Sequence, residues 1–288
     1  MNAFGVRALK PVVERPSKTF KNDNLRSSTS RARHSLVVLL LHLARPPAGG
    51  RQGHEMPVAV VYIGVASTEE SECPGAVKDA LEDNGFDVTF AGDGADISVP
   101  DALAELNPDV YVQPGGGDDM GEAWDAVKGP VMAAITSYVR RGGHYVGICM
   151  GSFLASKGEE DDDFDGYDLL SEAGWEALDY KERAGASVRD MSQTLVSVDW
   201  RGQAKDIFFQ GGPSFAPIDD EGEGTVLATY SNGDAAAIVV PYGQGKVGVT
   251  GPHPEASASW YDDVVSEGGP RGRVQHELFM DLVRSTMA

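Results

Sequence analysis

The chain is poor in cysteine, poor in basic charge over most of its length, and free of long apolar runs. Two Cys in 288 residues exclude a disulfide-stapled scaffold. No apolar stretch approaches the roughly 20 residues that a membrane helix needs, so no membrane partner is expected. Against 44 acidic residues stand 24 basic ones, a net charge of -20. Binding to nucleic acid through its phosphates needs a basic face, so that class is excluded as well. Apolar residues make up 41% of the chain, enough for a real core.

The charge is unevenly divided. The first 56 residues hold ten Lys and Arg and three acids; the remaining 232 hold 14 and 41, a net of -27. Only six of those 14 are Lys. Carboxylates hold water, and salt screens their mutual repulsion. The body therefore reads as a halophilic, haloarchaeal-type protein working in the cytoplasm. Residues 1–56 read as a basic extension with three explanations. The first is an upstream start-site artefact, with translation beginning at Met56. The others are a disordered tail and a targeting segment, the latter built around the apolar run Ser35 to Ala44. Residues 57–288 read as one domain.

In this body strands alternate with helices. Val58 to Ile63 is a continuous apolar run, as in a strand buried on both faces. A helix follows over Ala76 to Asn84, opened by Pro74 and stopped by Gly85. Further strands are expected at Phe86 to Phe90, Asp109 to Val112 and Tyr145 to Ile148. Helices are expected at Pro100 to Leu106 and Trp124 to Arg141. This order predicts an α/β, three-layer, flavodoxin-like sandwich, with a mostly parallel sheet and helices on both faces. Shorter, mixed strands are expected at Thr194 to Val198, Ile207 to Phe209, Thr225 to Tyr230, Ala236 to Val240 and Lys246 to Thr250. Val274 to Arg284 reads as a closing amphipathic helix. Glu159 to Asp163 reads as a solvated surface loop rather than a cation site.

Chemistry in such a sheet belongs at the carboxyl ends of the strands. There, Gly147-Ile148-Cys149-Met150-Gly151 has the G-x-C-x-G pattern of a nucleophile elbow. Glycines on both sides permit the sharp strand-to-helix turn, and the helix N-terminus favours a thiolate. A thiolate in acyl chemistry needs an imidazole. The body offers His144, His253 and His276. His144 lies on the strand leading to Cys149 and cannot turn back; His276 reads as solvated on the last helix. His253 follows a strand, is framed by two prolines, and has Glu255 two residues on to orient it. The glycines of Pro114-Gly115-Gly116-Gly117 and the amide of Met150 are candidate oxyanion donors. Gln210 and Ser214, in Gln210 to Phe215, are candidate polar contacts on a loop over the pocket. Cys73, beside Glu72, is expected to do no chemistry. Trp175, Trp200 and Trp260 read as packing residues. No metal or cofactor is expected.

Taken together, G-I-C-M-G and the later His253-Pro254-Glu255 resemble the class I glutamine amidotransferase superfamily. More narrowly, the chain resembles the N-terminal domain family of biotin–protein ligases. The motifs that carry this are V-Y-I-G (Val61 to Gly64), C-P-G-A-V-K-D-A-L (Cys73 to Leu81), P-G-G-G, G-G-H-Y-V-G-I-C-M-G, Q-G-G-P-S-F and Y-G-Q-G-K-V-G-V-T-G-P-H-P-E. The resemblance covers about Val58 to Ala288. It implies the sandwich fold and a Cys149, His253, Glu255 triad acting on a small amide or acyl substrate. Glutaminases of the superfamily usually carry Gln four residues after the nucleophile; here Phe153 stands there, which speaks against glutamine as substrate. The resemblance includes no ligase or synthetase domain in this sequence, so biotin ligation by the chain alone is not expected. The rival expectations are a binding module with a relic triad and, more weakly, redox or glyoxalase-like chemistry.

Overall fold

A computed structural model describes residues 56–117, 119–158, 164–219 and 221–288. The expectations for residues 1–55 and for the Glu159 to Asp163 loop lie outside these. Eleven strands form one sheet among the described residues. They are β1 (Val58–Tyr62), β2 (Asp87–Ala91), β3 (Val110–Gln113), β4 (His144–Ile148), β5 (Trp175–Asp179) and β6 (Thr194–Trp200). After them come β7 (Gln203–Phe209), β8 (Pro213–Pro217), β9 (Thr225–Tyr230), β10 (Ala235–Tyr242) and β11 (Gly245–Thr250). The helices are α1 (Cys73–Glu82), α2 (Val99–Glu105), α3 (Met120–Val127), α4 (Pro130–Arg140), α5 (Met150–Ala155), α6 (Ala258–Ser266) and α7 (His276–Met287).

The sheet runs β2-β1-β3-β4-β11-β10-β9-β6-β7, and β8 pairs with both β10 and β5. From β2 to β11 every pairing is parallel, in the flavodoxin order. From β11 onward every pairing is antiparallel. The α/β class with helices on both faces is as expected. The sheet, however, is mixed rather than mostly parallel: only the half that carries crossover helices is parallel, and the hairpin-linked half is not.

The apolar runs of the parallel strands now have a cause. In β1, Val60 and Tyr62 join one core layer with α2, α3 and α4, while Ala59 and Val61 join the opposite layer with α1 and α7. β3 divides likewise, Tyr111 to one side and Val110 and Val112 to the other. A strand covered on both faces reads as a nearly continuous apolar run.

Three local expectations are corrected. The single helix over Trp124 to Arg141 is two, α3 and α4. Lys128 is extended, Gly129 has φ 72°, and Pro130 opens the second helix. A proline inside a helix removes a hydrogen bond and clashes with the preceding turn, so the chain restarts there. The segment after Gly212 is not a free loop but strand β8. α6, which the sequence pattern did not predict, places Trp260 and Tyr261 in a small third cluster with Phe208 and Cys73.

Candidate active site

Three neighbouring parallel strands end at one level. Gln113 of β3 is in register with Gly147 of β4, and Ile148 of β4 with Thr250 of β11. Their carboxyl ends therefore bring together Pro114 to Gly117, Cys149 and Gly251 to Glu255.

Cys149 has φ 49° and ψ -108°, a conformation that a residue with a Cβ adopts only under constraint. Such strain costs of order 1–3 kcal/mol and persists where the surroundings enforce it. The surroundings are visible. The Cys149 amide donates to the Thr250 carbonyl at 3.0 Å. Ser152 Oγ lies 2.9 Å from the Gly147 carbonyl and 2.8 Å from that of Thr250, and accepts from the Thr250 amide at 3.1 Å. Both flanking glycines are required. A Cβ on Gly147 would stand 2.6 Å from the Gly151 carbonyl oxygen, and one on Gly151 would stand 2.0 Å from that of Gln113. The strand-to-helix turn is the expected elbow, and Ser152 is a tie that the motif alone does not reveal.

His253 is buried, and its Nδ1–H donates to Glu255 Oε1 at 2.8 Å. That leaves Nε2 free of Glu255, and the Cys149 sulfur is near enough to act on the charge of the ring. The backbone of His253 is anchored by its amide to the Phe208 carbonyl at 2.8 Å. The rings of Phe208 and Trp260 meet the imidazole nearly edge-on, at 5.8 and 5.7 Å between centroids. Trp260 is itself held by Nε1–H donating to Glu72 Oε2 at 3.0 Å. It is a packing residue, as expected, but what it packs is the candidate base. Burial pulls the imidazole pKa down; the Glu255 carboxylate and the neighbouring Cys149 outweigh it and hold the value up at about 10.

Glu255 is fully buried. Its carbonyl accepts from His276 Nε2–H at 3.0 Å, so His276 is not the solvated residue that its neighbours in sequence suggested. His144 turns away, as expected, donating from Nδ1 to the Asp109 carbonyl at 2.8 Å.

Gly115 packs against both partners. A Cβ there would lie 2.7 Å from His253 Cε1 and 3.1 Å from Cys149 Cβ. The Gly115 carbonyl accepts from Ser67 Oγ at 2.5 Å. Gly116 has φ 89°, and a Cβ on it would collide with Ser71. Met150 is the first residue of α5, and the first amides of a helix have no acceptor within it.

Two expected contacts are corrected. The Gln210 side chain is exposed; what reaches the site is its carbonyl, which accepts from Cys149 Sγ at 3.5 Å. Ser214 lies in β8 and points its Oγ at the Leu178 carbonyl, 3.4 Å away, as part of the β5–β8 pairing. Cys73 lies near the same centre: its sulfur, one nitrogen of His253 and one carboxylate oxygen of Glu255 lie within 4.8 Å of one another. Burial, then Glu255, pushes its thiol well above the ordinary range. The pattern of residues around Cys73 carried no signal of this, because the contact is made across the fold.

The family model for the N-terminal region of biotin–protein ligase matches residues 106–281. The biotin–protein ligase of Schizosaccharomyces pombe is 30% identical over 171 residues, which are 50% of this chain and 25% of that protein. The chain thus spans about a quarter of the relative's length. Among solved structures, PurLQS from Thermotoga maritima overlays with a TM-score of 0.53 at 18% identity, over 80% of this chain and 99% of that one. A putative GMP synthase subunit from Thermoplasma acidophilum overlays at 0.50 with 11% identity, over 81% and 96% of the two chains. At such identities the likeness shows the fold. The chain belongs to the biotin–protein ligase N-terminal family, on a class I glutamine amidotransferase-like fold.

Proposed function

We propose that this domain is a thiol-dependent amidase or acyl hydrolase acting on a small substrate. The observation that carries it is Cys149, held at positive φ on a strand-to-helix turn and packed with a buried imidazole, which a carboxylate orients, against the same glycine, Gly115. In this reading Cys149 attacks as thiolate, forming a carbon–sulfur bond to the substrate carbonyl. The oxygen takes up the negative charge and is met by backbone N–H groups of Gly115, Gly116 and Met150. Protonated His253 gives its Nε2 proton to the leaving amine as the carbon–nitrogen bond breaks. A thioester remains. His253 then takes a proton from water, the hydroxide adds, the carbon–sulfur bond breaks, and the acid leaves. Glu255 keeps the imidazole in the required orientation throughout.

Phe153 supports a substrate other than glutamine, since an aromatic ring cannot make the polar contacts an amide side chain asks for. The ligase named among the relatives acts with three further quarters of chain, so ligation is not part of this proposal. The test is a screen of small amides and acyl esters with the wild type and Cys149→Ala. Turnover by the wild type that vanishes in Cys149→Ala is expected. Turnover that survives the substitution contradicts the proposal, and the absence of any turnover favours a binding module.

A further inference from the structure

Cys73 has no part in the chemistry above, yet it reaches the same centre. It opens α1 on one side of the loop at Gly116, where an added Cβ would lie 3.0 Å from its sulfur. His253 and Glu255 arrive from the end of β11. All three are buried, with one ligand atom from each lying within 4.8 Å of the others. Glu255 uses only Oε1 on His253; Oε2 is buried and has no hydrogen-bond partner among the described residues. An orphaned carboxylate oxygen in a desolvated place is costly, so a partner for it is worth seeking.

We propose that Cys73, His253 and Glu255 form a binding site for Zn2+. One thiolate, one imidazole and one carboxylate are a donor set suited to this borderline-soft ion, with a fourth position left for water. The thiolate and carboxylate charges neutralise it, which matters where water is excluded. Zinc bond lengths of about 2.0–2.3 Å place neighbouring donors roughly 3.3–3.6 Å apart, so the three atoms must close by about an ångström. That closure requires rotation of the Cys73 and Glu255 side chains. Two protons leave as the ion enters: the one on the Cys73 sulfur and the one between His253 Nδ1 and Glu255 Oε1. The histidine–carboxylate hydrogen bond is exchanged for two bonds to the metal. Binding does not depend on the catalytic reading. Its consequence does: with Nδ1 on the metal, Nε2 keeps its proton and cannot act as a base, so zinc silences the site.

The test uses the full chain, stripped of metal with a chelator. Zn2+ is titrated in competition with a chromophoric chelator, and Co2+ serves as a spectroscopic probe. One ion per chain is expected, with a thiolate-to-cobalt charge-transfer band in the wild type and in Cys149→Ser. The band should be absent in Cys73→Ser. Zinc affinity should fall at least about 100-fold in that variant, since loss of a mere outer-shell partner already costs 10–100-fold. Cys73→Ser is nearly isosteric; should it fail to melt like the wild type, Glu255→Gln gives a second reading of the same affinity loss. Affinity weaker than about 10 μM in the wild type overturns the proposal. So does a cobalt band that survives Cys73→Ser and disappears in Cys149→Ser, because the ion then sits on the other sulfur. Loss of turnover in Cys149→Ser with zinc binding intact separates this site from the triad.

Discussion

At His253 two opposing forces are in view, and their balance sets a pH dependence. Burial favours the neutral ring; the Glu255 carboxylate and Cys149 favour the charged one and prevail, at about 10. Removing the carboxylate charge should bring the value down by about 1–3 pH units, the usual effect of one close opposite charge. An NMR titration of the imidazole in wild type and Glu255→Gln reads this; an unchanged value would mean that Glu255 does not hold the proton. The same shift is a stability statement. A folded-state pKa raised above the unfolded value near 6.5 contributes stability that is full below that value and lost as pH climbs through about 10. The wild type should therefore melt above His253→Gln at pH 6, with the gap narrowing toward pH 10. A gap constant across that range would contradict the assignment. At this scale the elbow and the His-Pro-Glu segment were legible in the sequence, because a tight turn leaves its glycines as a local signature. The nearness of Cys73 to His253 and Glu255 was not legible, because it is made across the fold. Gln210 and Ser214 misled for a related reason, since a polar side chain beside a site can face either solvent or a strand partner.

At the scale of elements, the elbow depends on backbones that approach too closely for a side chain. A Cβ on Gly151 would stand 2.0 Å from a carbonyl oxygen of β3. Gly151→Ala should destabilise the domain by about 1–3 kcal/mol, as overpacking does, and lower Tm by about 2–4 °C for each of these. Gly75 is the control. It is exposed on α1 with nothing within 4 Å of an added Cβ, so Gly75→Ala should stabilise by about 0.5–1 kcal/mol. Thermal melts of the two variants check both signs; equal shifts would remove the elbow argument. The parallel strands were legible because burial on both faces makes them continuous apolar runs. β5 and β8 were harder. They are five residues each, β8 begins and ends with proline, and they pair mainly with each other at the side of the main sheet. The α3–α4 break was written in Gly129-Pro130 but masked by helical periodicity on both sides of it.

Across the whole molecule, charge decides the conditions in which this arrangement holds. The 232 residues after Met56 carry a net of -27 with only six Lys. The Debye length is about 10 Å at 0.1 M salt and about 3 Å at 1 M, so concentrated salt screens a repulsion that dilute salt leaves in place. Tm should rise steeply with KCl from about 0.1 M to beyond 1 M. A melting temperature indifferent to salt would refute the halophilic reading of the composition. Among the described residues no helix is long and apolar enough to cross a membrane. The halves of the sheet also divide the site: the parallel half brings three strand ends to Cys149 and His253, while the antiparallel half supplies the Gln210 carbonyl beside Cys149 and the Phe208 ring beside His253.

In the proposed chemistry Cys149 and His253 work as one nucleophilic pair. Intact and peptide-mapped mass spectrometry, in high salt, after exposure to a library of activated amides and esters, tests it most directly. An acyl mass is expected on Cys149 in the wild type, none on Cys73, whose thiol burial keeps protonated, and loss of the adduct in His253→Ala. Labelling of Cys149 that is equally fast in His253→Ala, or that falls on Cys73 instead, would contradict it.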